Sequence, residues 1–235
     1  MGLGSFLSGV LSPVGRVIGG AISSLASNIG GAIPKLAPKI SEPFLKFNIE
    51  KIFSAADAIC SVICLISDVM GLKNKEESAQ EIGMKAEEGI KQEIKPEKFA
   101  SYEEYINNIR KDVEIDQTKL ESLSNQDKIK YGIVGSAILV KGIEEKEKFE
   151  IPAIFVSEIG RQNLSPQETM QYIKEFKKNN LCLNDFTNYL DGSIDDKLYL
   201  KVENIIESSI KILNPDITDN ELDNKIIDMK KSARE

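Results

Sequence analysis

A chain of 235 residues with ordinary apolar content and a net charge of −7 is long enough to build a core, and its composition excludes global disorder. The sequence contains no histidine, which excludes serine–histidine and cysteine–histidine catalytic devices built within this chain. The negative charge argues against a large phosphate-binding surface, since duplex binding needs clustered Lys and Arg.

The charge density changes sharply near residue 72. Residues 1–72 contain five basic and four acidic residues, whereas residues 73–235 contain 25 basic and 33 acidic ones. This change predicts two parts: an apolar N-terminal arm over residues 1–72, with helical segments at 12–33 and 52–72, and an acidic helical body over residues 73–235. We expect the body to fold without the arm.

The first apolar segment begins at Ser12-Pro13, which is typical of a helix start with Ser as the N-cap. A small residue follows at every fourth position, on one helix face: Gly15, Gly19, Ser23, Ser27 and Gly31. Larger apolar residues at helical spacing lie opposite: Ile18, Ile22, Leu25 and Ile29. Both faces are candidates for helix packing or membrane contact, because small residues let helix backbones approach closely. Three alternatives stay open, namely membrane contact, packing on protein, and a disordered arm.

Residues 34–51 are interpreted as a spacer, since three prolines prevent one continuous helix there. Four lysines occupy this region: Lys35, Lys39, Lys46 and Lys51. Lysines beside apolar helices fit an interface with anionic lipid. An ordinary solvated linker explains them equally well.

The second apolar segment, 52–72, carries Asp57 and Asp68 near its two ends. It is interpreted either as a membrane span or as a buried helix of a soluble bundle. Two spans would place the lysine-containing spacer and the acidic body on opposite sides of a membrane, an awkward topology. Cys60 and Cys64 share one face of this helix, and with Cys182 they are predicted to be thiols that hold no metal, the first two buried for packing.

The body contains several helix signals. Apolar spacing predicts amphipathic helix over 73–123, whereas residues 131–156 fit either a helix, which is favoured, or two strands of a hairpin. Ser165 and Glu168 form a capping-box motif that starts a helix running to Lys178. Further helices are predicted at 183–190 and 196–213, and Thr218 with Glu221 caps a last one.

The predicted fold is therefore mainly α: a Gly/Ser-rich helical arm, then an irregular helical bundle with room for one small β-hairpin. A small-residue apolar arm before a charged helical body resembles, in general pattern, phage pilot or ejection proteins and secreted translocators or effectors. The expected function is a non-enzymatic structural or assembly component of such a virion, secretion or injection particle. The alternative is a secreted effector or toxin that inserts its N-terminal helices into a target membrane.

The expected partners follow from the same pattern. They are other protein subunits, in a homo- or hetero-oligomer, with a lipid bilayer as a further candidate and no nucleic acid. No cofactor, metal or catalytic residue is expected. A membrane-associated location, or one within a secreted or virion particle, is favoured over free cytoplasm.

Overall fold

A computed structural model describes residues 11–234, and over this range the chain is helical, with no strand. The prediction of a mainly α, irregular helical bundle is confirmed. The helices are α1 (Pro13–Ile29), α2 (Ile33–Ser41), α3 (Ile49–Val69), α4 (Ala79–Lys91), α5 (Tyr102–Asp112), α6 (Gln117–Glu121), α7 (Asn125–Glu147), α8 (Ala153–Gln162), α9 (Pro166–Lys178), α10 (Asn184–Asp191), α11 (Asp196–Leu213) and α12 (Asp219–Arg234). Short 3-10 helices lie at Glu42–Phe44 and Pro96–Lys98.

Helix α7 is the central element of the fold. Ten consecutive residues, 131–140, are buried, and α1, α2, α3, α4 and α5 all pack against the helix. A helix surrounded in this way is apolar on every side, so its sequence lacks the one-sided spacing of a surface helix. The helical interpretation of residues 131–156 is thus correct, and the hairpin alternative is wrong: these residues form most of α7 and the start of α8.

Helices α4 and α7 approach each other at two glycines. A Cβ atom added at Gly135 would lie 1.9 Å from the carbonyl oxygen of Ala79, and one added at Gly83 would lie 2.2 Å from the carbonyl oxygen of Tyr131. Real side chains do not fit at such distances, so the two helix backbones are in direct contact. The glycines of this pair are therefore packing residues.

The N-terminal helices belong to the same core as the acidic body. Apolar side chains of α1, α2 and α3 join those of α7 and α8 in one cluster, including the fully buried Ile22, Ile40 and Ile59. The change of charge density near residue 72 is therefore no boundary in packing. It reflects instead that many exposed positions of α1 and α3 are uncharged, among them Ser24, Ser54 and Leu65.

The spacer contains a helix that the sequence analysis did not predict. Helix α2 has Pro34 in its first turn and Pro38 inside it, and it buries Leu36, Ala37 and Ile40. A proline is tolerated in the first turn because that N–H has no partner within the helix in any case. The lysine-rich stretch up to residue 41 is consequently a packed element of the core.

The C-terminal helices form around aromatic rings. Phe186 of α10 lies 4.7 Å from Tyr172, 5.4 Å from Phe155 and 6.1 Å from Phe176, measured between ring centroids. The capping box of α9 is present: Ser165 accepts from the backbone N–H of Glu168, whose carboxylate accepts from that of Ser165. The predicted helices 166–178 and 196–213 match α9 and α11, and Glu221 caps α12 with Thr218 as expected.

Candidate functional site

The small-residue ladder of α1 does not form one continuous contact face. A Cβ atom added at Gly15 would lie 1.8 Å from the carbonyl oxygen of Leu45, and one at Gly19 would lie 2.7 Å from a methyl group of Leu45. These two glycines therefore make room for the segment that follows α2. Ser23 is half-buried, and Ser27 is exposed.

Gly31, the last member of the ladder, lies beyond the end of α1. Gly30 and Gly31 have φ values of +87° and +60°, in the region that favours glycine. The Glu97 carboxylate accepts from the backbone N–H of Gly31, and the Tyr102 hydroxyl accepts from that of Ala32 at 2.8 Å. The start of α2, which has no side-chain cap of its own, is thus capped by residues of the acidic body. Burial raises the pKa of Tyr102, so its hydroxyl stays neutral.

The apolar stripe of α1 faces the interior of the chain. Ile18, Ile22, Leu25 and Ile29 are all buried in the core, where α1 packs chiefly on α2 and α7. In this conformation these four side chains contact neither solvent nor any external surface. They pack within the chain itself, and their contact with another subunit or a membrane stays a prediction.

The outer face of α1 has an unusual composition for a surface helix. Its exposed positions after Arg16 are Val17, Gly20, Ser24, Ser27 and Asn28, and none carries a charge. Val17 is 61% exposed. A Cβ atom added at Gly20 would meet no atom within 4 Å. This face is smooth, uncharged and open to solvent.

The four lysines predicted to be interfacial lie at the surface. Lys35, Lys39 and Lys51 are exposed, and Lys46 is half-buried. Lys46 and Lys51 flank the ring of Phe47, with their ammonium nitrogens 4.9 Å and 5.3 Å from its centroid. No sequence pattern predicts this arrangement, because the positions of the three side chains depend on the turn between α2 and α3.

Of the helices in residues 11–234, α3 alone is long and apolar enough to cross a membrane, by length and composition. Half of its most apolar window is buried in the core, and core helices of soluble proteins share these properties. Its outer side includes Leu65, 54% exposed, and Val69, 88% exposed. The buried-helix interpretation of residues 52–72 therefore describes this conformation.

A cleft of about 310 Å³ opens between α3 and residues 73–80, and both Cys60 and Cys64 line it. Cys60 of α3 packs against α7. The Ser136 hydroxyl lies 3.5 Å from the Cys60 sulfur, and a Cβ atom added at Gly132 would lie 2.7 Å from the same sulfur. Burial raises the pKa of Cys60 to about 12. Burial also raises the pKa of Cys64, although the Lys73 ammonium and a backbone hydrogen bond from Ala79 oppose this. Both thiols are therefore protonated at neutral pH, so neither is an activated nucleophile.

An ion-pair cluster, which the sequence analysis missed, lies beside this cleft. The Glu77 carboxylate lies 2.7 Å from Nε of Arg110 and 3.3 Å from Nζ of Lys85, and Lys85 also pairs with Glu81 at 3.0 Å. The cluster joins the loop before α4 to α4 and α5. Ser78, which caps α4 by accepting from the backbone N–H of Glu81, was the available sequence signal for this helix start.

A second buried carboxylate lies where α8 meets α12. Glu158 is fully buried and pairs with Arg161, and Gln162 donates from Nε2 to Glu158 at 2.9 Å and to the carbonyl oxygen of Met229 at 3.1 Å. Burial raises the pKa of Glu158, and the two partners only partly offset that effect. The arrangement links two helices of the body.

Residues 11–234 contain no group of three or more cysteine and carboxylate side chains placed to hold a metal ion. Neither known family models, nor curated protein sequences, nor solved structures give a match to this chain. The uncharged outer face of α1 and the lysine-flanked Phe47 are the features that suggest a function.

Proposed function

We propose that this chain is a non-enzymatic assembly component that packs against other protein subunits through the outer face of α1. The observation that supports the proposal is the absence of charge from the exposed positions of that face after Arg16. Helix surfaces in water usually carry charged side chains, whereas Gly and Ser allow another helix to come close. The simplest partner is a second copy, because two identical smooth faces suit an isologous contact.

The kind of assembly is part of the same proposal. The general pattern of the chain resembles phage pilot or ejection proteins and secreted translocators, which suggests a virion, secretion or injection particle. Within such a particle the folded chain would contribute its acidic surface to solvent and its α1 face to a neighbouring subunit.

The test places charge on the smooth face. Gly20→Glu with Ser24→Glu adds two carboxylates at exposed positions where the fold has space, since nothing lies within 4 Å of a Cβ atom at Gly20. The matched control, Asn204→Glu with Asn224→Glu, adds the same charge at exposed positions of α11 and α12. We expect the native chain and the control to sediment as an oligomer, and the α1 variant to sediment as a monomer with unchanged helical content.

Two results would contradict this proposal. A native chain that is monomeric at every concentration has no second copy as its partner. An oligomer that persists unchanged in the α1 variant is held together by another surface.

A second candidate function is a secreted effector that inserts its N-terminal helices into a target membrane. It is favoured by α3, which at 21 residues has the length and apolarity of a membrane span. Insertion would require α3 to leave α7, with the bilayer replacing the core as its apolar environment. Vesicle association that resists both high salt and alkaline washing, with release of an entrapped dye, would support insertion; association reversed by salt would contradict it.

A further inference from the structure

The N-terminal ends of α1 and α3 lie close to each other. Ser12, the N-cap of α1, donates from its hydroxyl to the carbonyl oxygens of Leu45 and Phe47, at 3.0 Å and 2.8 Å. The next turn of α1 contacts the same segment through Gly15. Phe47 in turn immediately precedes Asn48, the N-cap of α3.

The charged residues around these two helix starts are mostly basic. Arg16 of α1, Lys39 in the last turn of α2, Lys46 of the turn and Lys51 of α3 form what we call the basic end. Between Arg16 and Lys51 the only acidic residues in the sequence are Glu42 and Glu50, and no acidic residue precedes Glu42. A positive surface on a protein of net charge −7 concentrates attraction for anions at one place.

Three of the four basic residues are available to an external partner. Arg16, Lys39 and Lys51 are exposed, and none of the three forms an ion pair with a residue in the described range, 11–234. Between Lys46 and Lys51, the half-buried ring of Phe47 supplies an apolar element. Lysine and arginine side chains attract the anionic headgroups of a bilayer, and an aromatic ring among them can enter the boundary between headgroups and hydrocarbon.

We propose that the basic end binds the surface of an anionic lipid bilayer while the helices remain folded. This deepens the second candidate function and rests on it, since it describes how the folded chain first meets a membrane. Helices α1 and α3 stay in the core at this step, so the interaction is peripheral and electrostatic. A duplex nucleic acid is the less suitable partner, because a protein of net charge −7 repels a long polyanion that extends beyond the basic end.

The test uses flotation of the full chain with vesicles of phosphatidylcholine, with and without phosphatidylserine. We expect binding only to the phosphatidylserine vesicles and release at high salt. The variant Lys39→Gln with Lys51→Gln removes two charges and should weaken this binding roughly 30-fold, at about one kcal/mol per lysine near an anionic surface. The control, Lys111→Gln with Lys119→Gln, removes two charges from exposed positions on α5 and α6 and should bind like the native chain.

Several outcomes would overturn the inference. Equal weakening in both variants means that net charge, and not the basic end, governs binding. Release from the vesicles by duplex DNA that binds the same lysines identifies a nucleic acid as the partner. No binding to either kind of vesicle also overturns it, and leaves the assembly proposal untouched. Salt-resistant binding indicates insertion instead, which retains the second candidate function without this surface step.

Discussion

The helices on the two sides of α7 differ in their main packing contacts, although Gly160 of α8 also meets the backbone of α3. On the N-terminal side, glycines bring backbones into contact, as at Gly15 beside Leu45 and Gly135 beside Ala79. On the C-terminal side, α8, α9 and α10 pack through the rings around Phe186. An atom added at a glycine contact pushes the two backbones apart, whereas a ring removed from the aromatic cluster leaves a cavity. The same core is therefore sensitive to opposite kinds of substitution in its two regions.

The largest effect is expected from removing the N-terminal region altogether. A chain that begins at Lys73 lacks α1, α2 and α3, whose fully buried isoleucines include Ile22, Ile33, Ile40 and Ile59. Each such side chain contributes roughly 1.5–3 kcal/mol when buried, against a total stability of about 5–15 kcal/mol for a typical domain. We expect this fragment to aggregate or melt without cooperativity, as measured by circular dichroism. A soluble fragment with a sharp melting transition would restore the boundary that the charge distribution suggests.

The next largest effect concerns the aromatic region. Phe186→Ala removes a fully buried ring that touches three others, and should lower the free energy of unfolding by roughly 3–5 kcal/mol. Phe53→Ala removes a ring from the N-terminal region that is only half-buried. We expect a clearly smaller loss there, measured by urea denaturation of both variants. Equal losses would mean that a half-buried ring on the N-terminal side contributes as much to the free energy of unfolding as the buried ring of Phe186.

The reverse experiment adds an atom to the glycine-packed region. Gly135→Ala places a methyl group 1.9 Å from the carbonyl oxygen of Ala79, so α4 and α7 must separate, at a cost of about 1–3 kcal/mol. Gly20→Ala is the control, because it fills open space on an exposed helix and should stabilise the chain by about 0.5–1 kcal/mol. Urea denaturation measures both. Stabilisation of the chain by Gly135→Ala would show that the helices are not in direct contact there.

The smallest effect is a pH dependence in the C-terminal region. The pKa of Glu158 is raised above its ordinary value of 4.5 in the folded chain, chiefly by burial. The folded state thus favours the protonated form, and the resulting stability is present at low pH and lost as pH rises through the raised pKa. Arg161, Gln162 and Asp191 are the groups that act on this carboxyl.

Glu158→Gln removes this titration. The stability of the native chain relative to the variant should therefore rise as pH falls from neutral towards 4.5, measured by urea denaturation across that range. A stability difference that stays constant with pH, or changes in the opposite direction, would show that folding does not raise the pKa of Glu158.

Local signals predicted the C-terminal region well. The Ser165–Glu168 capping box and the Thr218–Glu221 pair are short motifs whose hydrogen bonds form within one helical turn, so sequence alone locates them. The helical class of the fold was also predictable. Helix α7 was ambiguous because burial on all sides removes the one-sided spacing by which helices are recognised.

The candidate surfaces were harder to predict because they depend on contacts between distant residues. Four-residue spacing grouped Gly15 and Gly19 with Gly31, yet the first two accommodate Leu45 and the third sits in a turn beside Tyr102. The face of α1 that remains open is set by which side α2 and α7 cover. No property of α1 alone distinguishes the packed members of its small-residue ladder from its outer face, which shares Ser27 with the ladder and is also uncharged.

The cap on α2 has a consequence for the order of events during synthesis on the ribosome. Glu97 and Tyr102 follow their partners, Gly31 and Ala32, by 66 and 70 residues. Helix α7, which covers α1, α2 and α3, ends at Glu147, about 80 residues after the end of α3. At about 5–20 residues per second, these three helices emerge roughly 4–16 s before their covering helix is complete. The buried apolar faces of α1, α2 and α3 therefore lack their main covering helix during this period of synthesis.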